Sequence, residues 1–527
     1  MFWTSLFGLA TFFVSLVVIQ VLRFLWRRAT SPLHKLPGPA STSWLYGNVR
    51  EFTEAGQAVL WDHWTEIYGN TFKFWTFFNT PALYTTDTNA MGYILSHQDE
   101  FVKPADIKMA LTLLGEGLVF AEGQMHKKQR RVMNPAFGPA QIRSLIPTFN
   151  DKALQMCELW QSQIHDSPSD GVTTDVLTAM NRVTLDIVGL AGFGYNFDAL
   201  ESREDDLSSA FDAIMKTDNS PAQSTIIPLI GSIAPWIISV PFGVNNTRHR
   251  AKAIMDKMGM EIIQERKQIL IEEGATGVKG AAGKDLLTLL IRANVHDKDG
   301  GMSDEAVLAQ IPTFLIAGHE TTSAALTWTL FGLSANLEAQ RQLREELLTL
   351  NTDSPTMEDL KSLKYLDMVV REALRLWSPI SSSKRVALKN VLLPLRDGRV
   401  VKLTKGDEVR IPIHPMNTAK DIWGEDAAEF NPDRWKYPSE AAMDTPGIWG
   451  NQMTFMGGSR ACIGFQFAVY EIKAVLYALV RRFEFSLTMP AGDVTWSNIP
   501  AIRKAYIKGC EDKGPHMPLR IKPYVEA

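Results

Sequence analysis

One cysteine near the C-terminus stands in a setting suited to a reactive thiolate. Cys462 follows a glycine-rich turn and precedes a helical pattern, so we predict its thiol at a helix N-terminus, where backbone N–H groups favour the anion. Gly458 and Gly464 allow conformations and close approach that a Cβ would block. Phe455 can shield the sulfur, and Arg460 can pair with a carboxylate. This is the arrangement that an axial haem thiolate needs.

The ten residues from Phe455 to Gly464 resemble the F-x-x-G-x-R-x-C-x-G signature of the cytochrome P-450 haem-thiolate monooxygenases. The resemblance implies haem b (iron protoporphyrin IX) as the cofactor, with Cys462 as the axial ligand of the iron. The alternative is a small buried cysteine in a glycine-rich turn, which is the commoner fate of a cysteine in general.

The composition favours a large enzyme and excludes several other classes. The chain has 527 residues and only three cysteines, far apart and without CxxC spacing, so it indicates no disulfide framework and no cysteine zinc site. A net charge of -4, with no fingerprint of a nucleic-acid module, indicates that nucleic acid is not a partner.

The N-terminus has the pattern of an uncleaved membrane anchor. Residues 2–22 carry no charge, and the basic residues Arg23, Arg27, Arg28 and Lys35 follow them. By the positive-inside rule, the rest of the chain faces the cytosol. We therefore predict an anchor at 1–28, a proline-rich hinge at 29–40, and a haem-thiolate catalytic domain at 41–527, on the endoplasmic reticulum membrane as a single-pass protein in contact with membrane lipid. The alternative is a buried core helix.

The expected fold is mainly α with small β-sheets, that is, the cytochrome P-450 fold preceded by an N-terminal transmembrane helix. Residues 71–87 read as an aromatic β-hairpin, and a second hairpin is predicted to turn at Asp397–Gly398. Most segments between them show helical periodicity.

A small-residue stripe occurs in the apolar helical pattern that begins at Thr313. Ala317, Gly318 and Thr321 share one helix face, against which something flat could lie, and the Thr321 hydroxyl can bond back to the Ala317 carbonyl. The stripe resembles the oxygen-activation motif of the family. That resemblance implies that Thr321 acts in oxygen activation and that Glu320 belongs to the proton relay. Simple packing of helices is the alternative.

Glu372 and Arg375 lie three residues apart on one predicted helix face and can form an ion pair. The spacing alone is a weak signal, because Glu338 and Arg341 show it too. The resemblance implies that Arg434 completes a buried structural cluster with the first pair.

The resemblance assigns four cationic side chains to the haem propionates: His126, Arg130, Arg385 and Arg460. His126 stands where many family members have tryptophan, so its protonation matters near neutral pH. The basic run containing Lys127 and Lys128 is a candidate docking patch for a flavoprotein reductase, and a solvated helix turn is the alternative.

The function implied is that of a membrane-bound monooxygenase that hydroxylates or epoxidises a lipophilic small molecule, such as a fungal terpenoid, a secondary metabolite. It would use O2 and electrons from NADPH through NADPH–cytochrome reductase, because no dinucleotide fingerprint of adequate context occurs in this chain. The apolar character of the pocket segments near 107–119, 208–245, 314–317, 380–383 and 499–502 favours a weakly polar substrate. A reductase-independent isomerase that rearranges peroxides, and a non-catalytic haem carrier or sensor, are the alternatives.

Overall fold

The structure is a computed structural model of the chain. It describes residues 15, 19, 22, 24–54, 57–104, 107, 115–201, 244–276, 285–295, 301–499 and 501–525. The described chain divides into two compact units, the first formed by Met1–Pro104 with Ser382–Pro415 and the second by Ala105–Ser381 with Met416–Ala527.

The first unit is built on a mixed five-stranded sheet with the order β1-β2-β8-β5-β3. Strands β1 and β2 form the predicted aromatic hairpin, paired antiparallel from Thr71 opposite Thr85 to Thr76 opposite Thr80. That hairpin prediction is confirmed. The strands of this unit are Thr71–Thr76 (β1), Thr80–Thr85 (β2), Phe101–Val102 (β3), Ser383–Ala387 (β5), Val391–Pro394 (β6), Val400–Leu403 (β7) and Glu408–Ile411 (β8).

Aromatic side chains explain why this sheet forms. The ring of Tyr84 stacks on those of both Trp61 and Phe72, with its centroid 4.6 Å from each of theirs. Bulky aromatic residues suit a pleated surface with one buried face. Trp61 belongs to one of the helices of this unit, which are Val49–Glu54 (α1), Gln57–Tyr68 (α2) and Thr88–Ser96 (α3).

The second predicted hairpin is also confirmed. Strands β6 and β7 pair antiparallel, from Val391 opposite Leu403 to Pro394 opposite Val400. The turn between them contains Asp397 and Gly398, and the φ of Gly398 is 84°, a left-handed conformation that glycine adopts without strain.

The second unit is mainly helical. Its long helix Phe465–Arg482 (α18) packs against Pro139–His165 (α5). The helix Thr321–Ala335 (α11) is buried on nearly every face, as expected of a helix that passes through a core. Its helices are Gly123–Met133 (α4), Pro139–His165 (α5), Val176–Val188 (α6), Val244–Thr276 (α7), Leu286–Val295 (α8), Asp304–Leu308 (α9), Gln310–Leu315 (α10), Thr321–Ala335 (α11), Leu337–Leu348 (α12), Met357–Ser362 (α13), Lys364–Leu376 (α14), Lys420–Trp423 (α16), Glu440–Met443 (α17) and Phe465–Arg482 (α18); Ile413–Thr418 (α15) spans the division between the units.

Two small antiparallel sheets complete the second unit. One has the order β4-β12-β9, and the other is the hairpin β10–β11, whose Ile502 also bridges to Ile380. The strands are Val172–Asp175 (β4), Phe483–Leu487 (β9), Val494–Ile499 (β10), Ile502–Ile507 (β11) and Pro518–Pro523 (β12). The described chain is thus mainly helical with small sheets, as predicted.

The predicted anchor falls largely outside the described residues and stays a prediction, as do the domain bounds. Among the described residues, one helical stretch is long and apolar enough to cross a membrane, Val176–Phe193, and 78% of it is buried inside the protein. It is a helix of the core.

Candidate active site

The loop that carries Cys462 is a series of tight turns closed by backbone hydrogen bonds. The N–H of Cys462 donates to the carbonyl of Phe455 over 2.9 Å, and the N–H of Ala461 donates to Gly458 over 3.1 Å. Gly464 is the N-cap of α18. The thiol therefore lies at the N-terminal end of a helix of 18 residues.

The environment of the Cys462 thiol pulls its pKa in two directions. Burial raises the pKa most strongly, whereas a hydrogen bond from the Gly464 N–H and the charge of Arg130 lower it. The hydrogen bond at the helix end thus favours the thiolate as predicted, but the net shift is upward because desolvation outweighs it. Cys462 is accessible to solvent, although protein atoms enclose most of its thiol.

The two glycines of the signature differ in what they contribute. Gly458 has a φ of 67°, which favours glycine. A Cβ on Gly464 would meet only Phe137, at an ordinary 3.7 Å, so the described protein atoms do not require glycine there. Sequence reasoning missed Met456, which has a φ of 55° and a ψ of -168°, a region that only glycine enters easily.

The ring of Phe455 is buried and packs edge-on against that of Trp449, with centroids 5.7 Å apart, and tilted against Phe465 at 6.1 Å. Phe465 is the first residue of α18, so these contacts fix the start of the loop against the start of the helix.

Helix α4 brings two of the predicted cations to the thiol loop. Arg130 Nη1 donates to the Ala461 carbonyl over 2.6 Å, and Arg460 Nη1 donates to the Ala121 carbonyl over 2.7 Å. Arg460 also pairs with the carboxylate of Glu122, a partner that the sequence pattern did not indicate. His126 is 3% exposed on the inward side of α4.

Arg385 lies in the first unit, on β5. Its Nη1 donates to Ser383 Oγ over 2.9 Å and to the Lys384 carbonyl over 2.7 Å. The structure therefore groups Arg130, Arg460 and His126 around α4 and the thiol loop, while the role of Arg385 stays a prediction.

The helical segment with the small-residue stripe contains a π-helical turn at Ile316–Glu320, between α10 and α11. Thr321 Oγ1 donates to the Ala317 carbonyl over 2.5 Å, the bond predicted from the sequence. The wide π-turn and the hydrogen bond from the Thr321 hydroxyl to a helix carbonyl both weaken the regular backbone hydrogen bonding of the helix. Such π-turns are frequent at functional sites. Ala317 is exposed between the half-buried residues Ile316 and Gly318.

Gly318 lies against another helix. A Cβ built on it would lie 2.7 Å from Val188 Cγ2, on α6. The glycine therefore lets two helices approach each other, as the packing alternative expects, and its contact with a cofactor stays a prediction.

Glu320 has a basic partner that the sequence did not reveal. Its Oε2 lies 2.8 Å from Lys504 Nζ, on β11, and Glu320 is 8% exposed. The contact is an ion pair whose angles do not meet those of a hydrogen bond. The contact involves a carboxylate, a group able to carry protons, next to Thr321 in the chain.

Glu372 is the centre of a buried cluster. It is fully buried and receives two hydrogen bonds from Arg375, from Nε over 2.9 Å and from Nη2 over 2.8 Å. Arg434 Nε adds a third at 3.3 Å, the Asn431 N–H a fourth at 3.0 Å, and Trp435 Nε1 a fifth at 3.0 Å. The three predicted members are thus together.

A second buried carboxyl group lies on α18. Glu471 is 0% exposed, and among the described residues neither of its oxygens has a hydrogen-bond partner. Burial raises its pKa well above the ordinary value, and the nearby Thr322 hydroxyl opposes that shift. Burial therefore favours the neutral form of Glu471. The sequence around Glu471, in the helix after the cysteine loop, did not indicate that its carboxyl group would be buried.

Two of the predicted substrate-pocket segments lie mainly outside the described residues, namely most of 107–119 and nearly all of 208–245.

The fit of a haem can be judged from the donor set around the loop. An interior thiol at a helix end, with Arg130, Arg460 and His126 nearby, offers one sulfur ligand for iron and cationic donors for propionates. The side chains around the thiol loop therefore fit a haem.

Comparison with known proteins gives the family. A model of the cytochrome P-450 family matches residues 37–498. Cytochrome P-450 monooxygenase 205 of the fungus Postia placenta is 42% identical over 94% of this chain and 94% of its own length. Monooxygenase 128 of the same fungus is 41% identical over 96% and 95%. A ganoderic acid synthetase of Ganoderma lucidum is 34% identical over 87% and 89%.

The chain belongs to the cytochrome P-450 family of monooxygenases. Members of this family bind haem and use O2 together with a redox partner, generally a reductase.

Proposed function

We propose that this enzyme is a membrane-bound monooxygenase that hydroxylates or epoxidises a lipophilic secondary metabolite, such as a terpenoid. The observation that carries the proposal is the interior thiol of Cys462 at the start of α18, hydrogen-bonded by the Gly464 N–H. The name of the Ganoderma relative supports a substrate from fungal secondary metabolism.

Cys462 is the residue that would ligate the iron of haem b. When bound, the haem would supply the activation of O2. The Cys462 thiol would lose its proton on coordination, which would offset the burial that raises its pKa in the protein alone. Arg130, Arg460 and His126 are the residues that would hold the propionates.

Protons would reach the oxygen site through the π-turn. The carboxylate of Glu320 lies beside Lys504 and would exchange protons. The next residue, Thr321, donates its hydroxyl hydrogen bond to the Ala317 carbonyl, so the lone pairs of its oxygen stay available as acceptors. The acid and the hydroxyl are adjacent in the chain, so the relay is short.

Electrons would come from NADPH through NADPH–cytochrome reductase docked at α4. Lys127 and Arg131 lie one turn apart and are exposed, whereas His126 on the same helix is buried. Charge reversal by Lys127→Glu with Lys128→Glu should slow reductase-driven turnover, with a weaker salt dependence, because charges at an interface steer association. Lys361→Glu with Lys364→Glu, both exposed on α13 and α14, is the matched control.

The test of the proposal as a whole is the difference spectrum of the reduced, carbon-monoxide-bound protein in microsomes, beside Cys462→Ala. We expect the red-shifted Soret band of thiolate ligation, lost in the variant. A wild-type band without that shift would refute the assignment of the ligand. Turnover without any reductase would favour the isomerase alternative.

The proposed location is the endoplasmic reticulum membrane, with residues 1–28 as a single span and the catalytic domain in the cytosol. Resistance to alkaline extraction, together with cleavage of the catalytic domain by protease added outside intact microsomes, is the expected result. Release into the alkaline supernatant would exclude the anchor.

A further inference from the structure

A basic cleft lies in the first unit, beside the end of the proposed anchor. It measures about 880 Å³ and is bordered by helical residues 25–30, the short helix Pro32–Lys35 and strand β7. Its lining residues are Leu25, Arg28, Ala29, Thr30, Ser31, Pro32, His34, Lys35, Lys402 and Thr404.

The cleft is positively charged. Arg28, Lys35 and Lys402 line it, no Asp or Glu is among these lining residues, and none of the three makes an ion pair with a described residue. The nearest carboxylate identified by its contacts is Asp407, which is buried and accepts hydrogen bonds from Ser31 Oγ over 3.1 Å and Thr404 Oγ1 over 2.9 Å. Both hydroxyls therefore keep lone pairs, and the three cations keep their charge for an outside anion.

Apolar side chains surround this cleft and are exposed. Leu25 and Trp26 are 46% and 68% exposed on the helical end of the anchor. On the β6–β7 hairpin, Leu392 and Val400 are 66% and 57% exposed, and Leu392 is paired directly with Lys402. Residues that alternate along a strand share one face, so this face displays an apolar and a basic side chain together.

Cations beside exposed leucine and tryptophan match the chemistry of a membrane surface. Phosphate groups attract lysine and arginine, and tryptophan prefers the level of the headgroups. The cleft includes the C-terminal end of the segment proposed to span the bilayer, so it would lie where that span leaves the membrane.

We propose that this cleft binds the phosphate of an anionic phospholipid headgroup, held by Arg28, Lys35 and Lys402, while Trp26 and Leu392 contact the acyl chains. This inference rests on the membrane location proposed above and adds the class of lipid that the enzyme prefers. Retention of an anionic lipid would fix the first unit against the bilayer at a second point beyond the anchor.

The experiment uses the full chain in phosphatidylcholine nanodiscs that contain a small fraction of phosphatidylserine labelled with pyrene on its acyl chain. Energy transfer from protein tryptophans to pyrene reports the labelled lipid near the protein, and pyrene-labelled phosphatidylcholine is the neutral reference. Lys35→Gln with Lys402→Gln removes two cleft charges. Lys361→Gln with Lys364→Gln removes two exposed charges elsewhere and is the matched control.

We expect stronger transfer to phosphatidylserine than to phosphatidylcholine in the wild type and in the control. Apparent affinity for phosphatidylserine should fall by about five-fold for each cleft charge removed. Equal transfer to both lipids in the wild type, or equal preference in the two double variants, would overturn the proposal.

Two further arms separate the possible sources of phosphate and the two proposals. If inorganic phosphate removes the lipid preference at low concentration, the cleft is a site for free phosphate and not for lipid. If the chain does not enter nanodiscs at all, the proposed membrane location fails, and the lipid site fails with it. Entry without a lipid preference overturns only the lipid site.

Discussion

Replacing Glu372 by alanine should destabilise the fold and prevent it from retaining haem. The carboxylate is fully buried and receives five hydrogen bonds, two of them from the fully buried Arg375. Its removal leaves the charge of Arg375 without a counter-ion, because the other acceptors of that guanidinium are the backbone carbonyls of Asn417, Ala427 and Glu429.

Breaking a buried pair from one side typically costs about 3–5 kcal/mol. Since about 1.4 kcal/mol changes an equilibrium tenfold, the ratio of folded to unfolded protein should fall by about two to four powers of ten. That is a large share of the roughly 5–15 kcal/mol that stabilises a typical domain.

The chain offers a matched control in Glu338, which pairs with Arg341 at the same spacing on α12. Both side chains are more than half exposed, so solvent screens the pair and Glu338→Ala should leave stability unchanged. Glu372→Gln keeps the size of the side chain but removes its charge, and it should behave like Glu372→Ala.

The assay is urea unfolding followed by tryptophan fluorescence, combined with haem content from the reduced carbon-monoxide spectrum. Normal haem content and an unchanged midpoint in Glu372→Ala would refute the reasoning. Equal losses of stability in Glu372→Ala and Glu338→Ala would also refute it, because the two ion pairs have the same spacing and differ in burial.

Three further predictions concern the helices around the site. Gly318→Ala should destabilise the protein by about 1–2 kcal/mol in urea unfolding, because its Cβ would meet Val188, and adding Val188→Ala should restore most of the loss. Because burial raises the pKa of Glu471 well above its ordinary 4.5, the folded state retains a proton that the unfolded state releases, and stability falls as pH rises from 4.5 towards the folded value. Glu471→Gln should remove that slope, about 1 kcal/mol per pH unit, and an identical slope in both proteins would contradict this assignment. Lys504→Met should slow NADPH-driven turnover by about tenfold at unchanged haem content, because the relay requires a cation beside Glu320. Lys504→Arg keeps that cation and should retain most of the turnover rate. Equal turnover rates for the two variants would count against the relay.

The sequence predicts best what is local along the chain. The two hairpins, the helix after Cys462 and the bond from Thr321 to Ala317 all depend on residues a few positions apart, and all are observed. Periodicity and turn chemistry are sufficient for such features.

What the sequence could not give depends on contacts between distant segments. Lys504 reaches Glu320 only because β11 packs beside the π-turn, and no spacing in the chain indicates that. The contact of Gly318 with Val188 was not indicated for the same reason, since Val188 belongs to another helix. The upward shift of the Cys462 pKa follows from burial, which a local motif does not reveal.

The contacts around the thiol loop show that its geometry is fixed by the protein itself. Arg130 and Arg460 donate to the carbonyls of Ala461 and Ala121, which fastens α4 and the residues just before it to the loop through two part-buried hydrogen bonds. A cofactor that enters this site meets donors already in position, so little conformational entropy is lost on binding. Glu122 opposes this, because it competes with an incoming carboxylate for Arg460. Burial raises the pKa of the Cys462 thiol, so a metal cation that binds there must displace its proton. In the proposal made above, Cys462 would recognise the iron, and Arg130, Arg460 and His126, which lie on α4 and the thiol loop, would recognise the propionates.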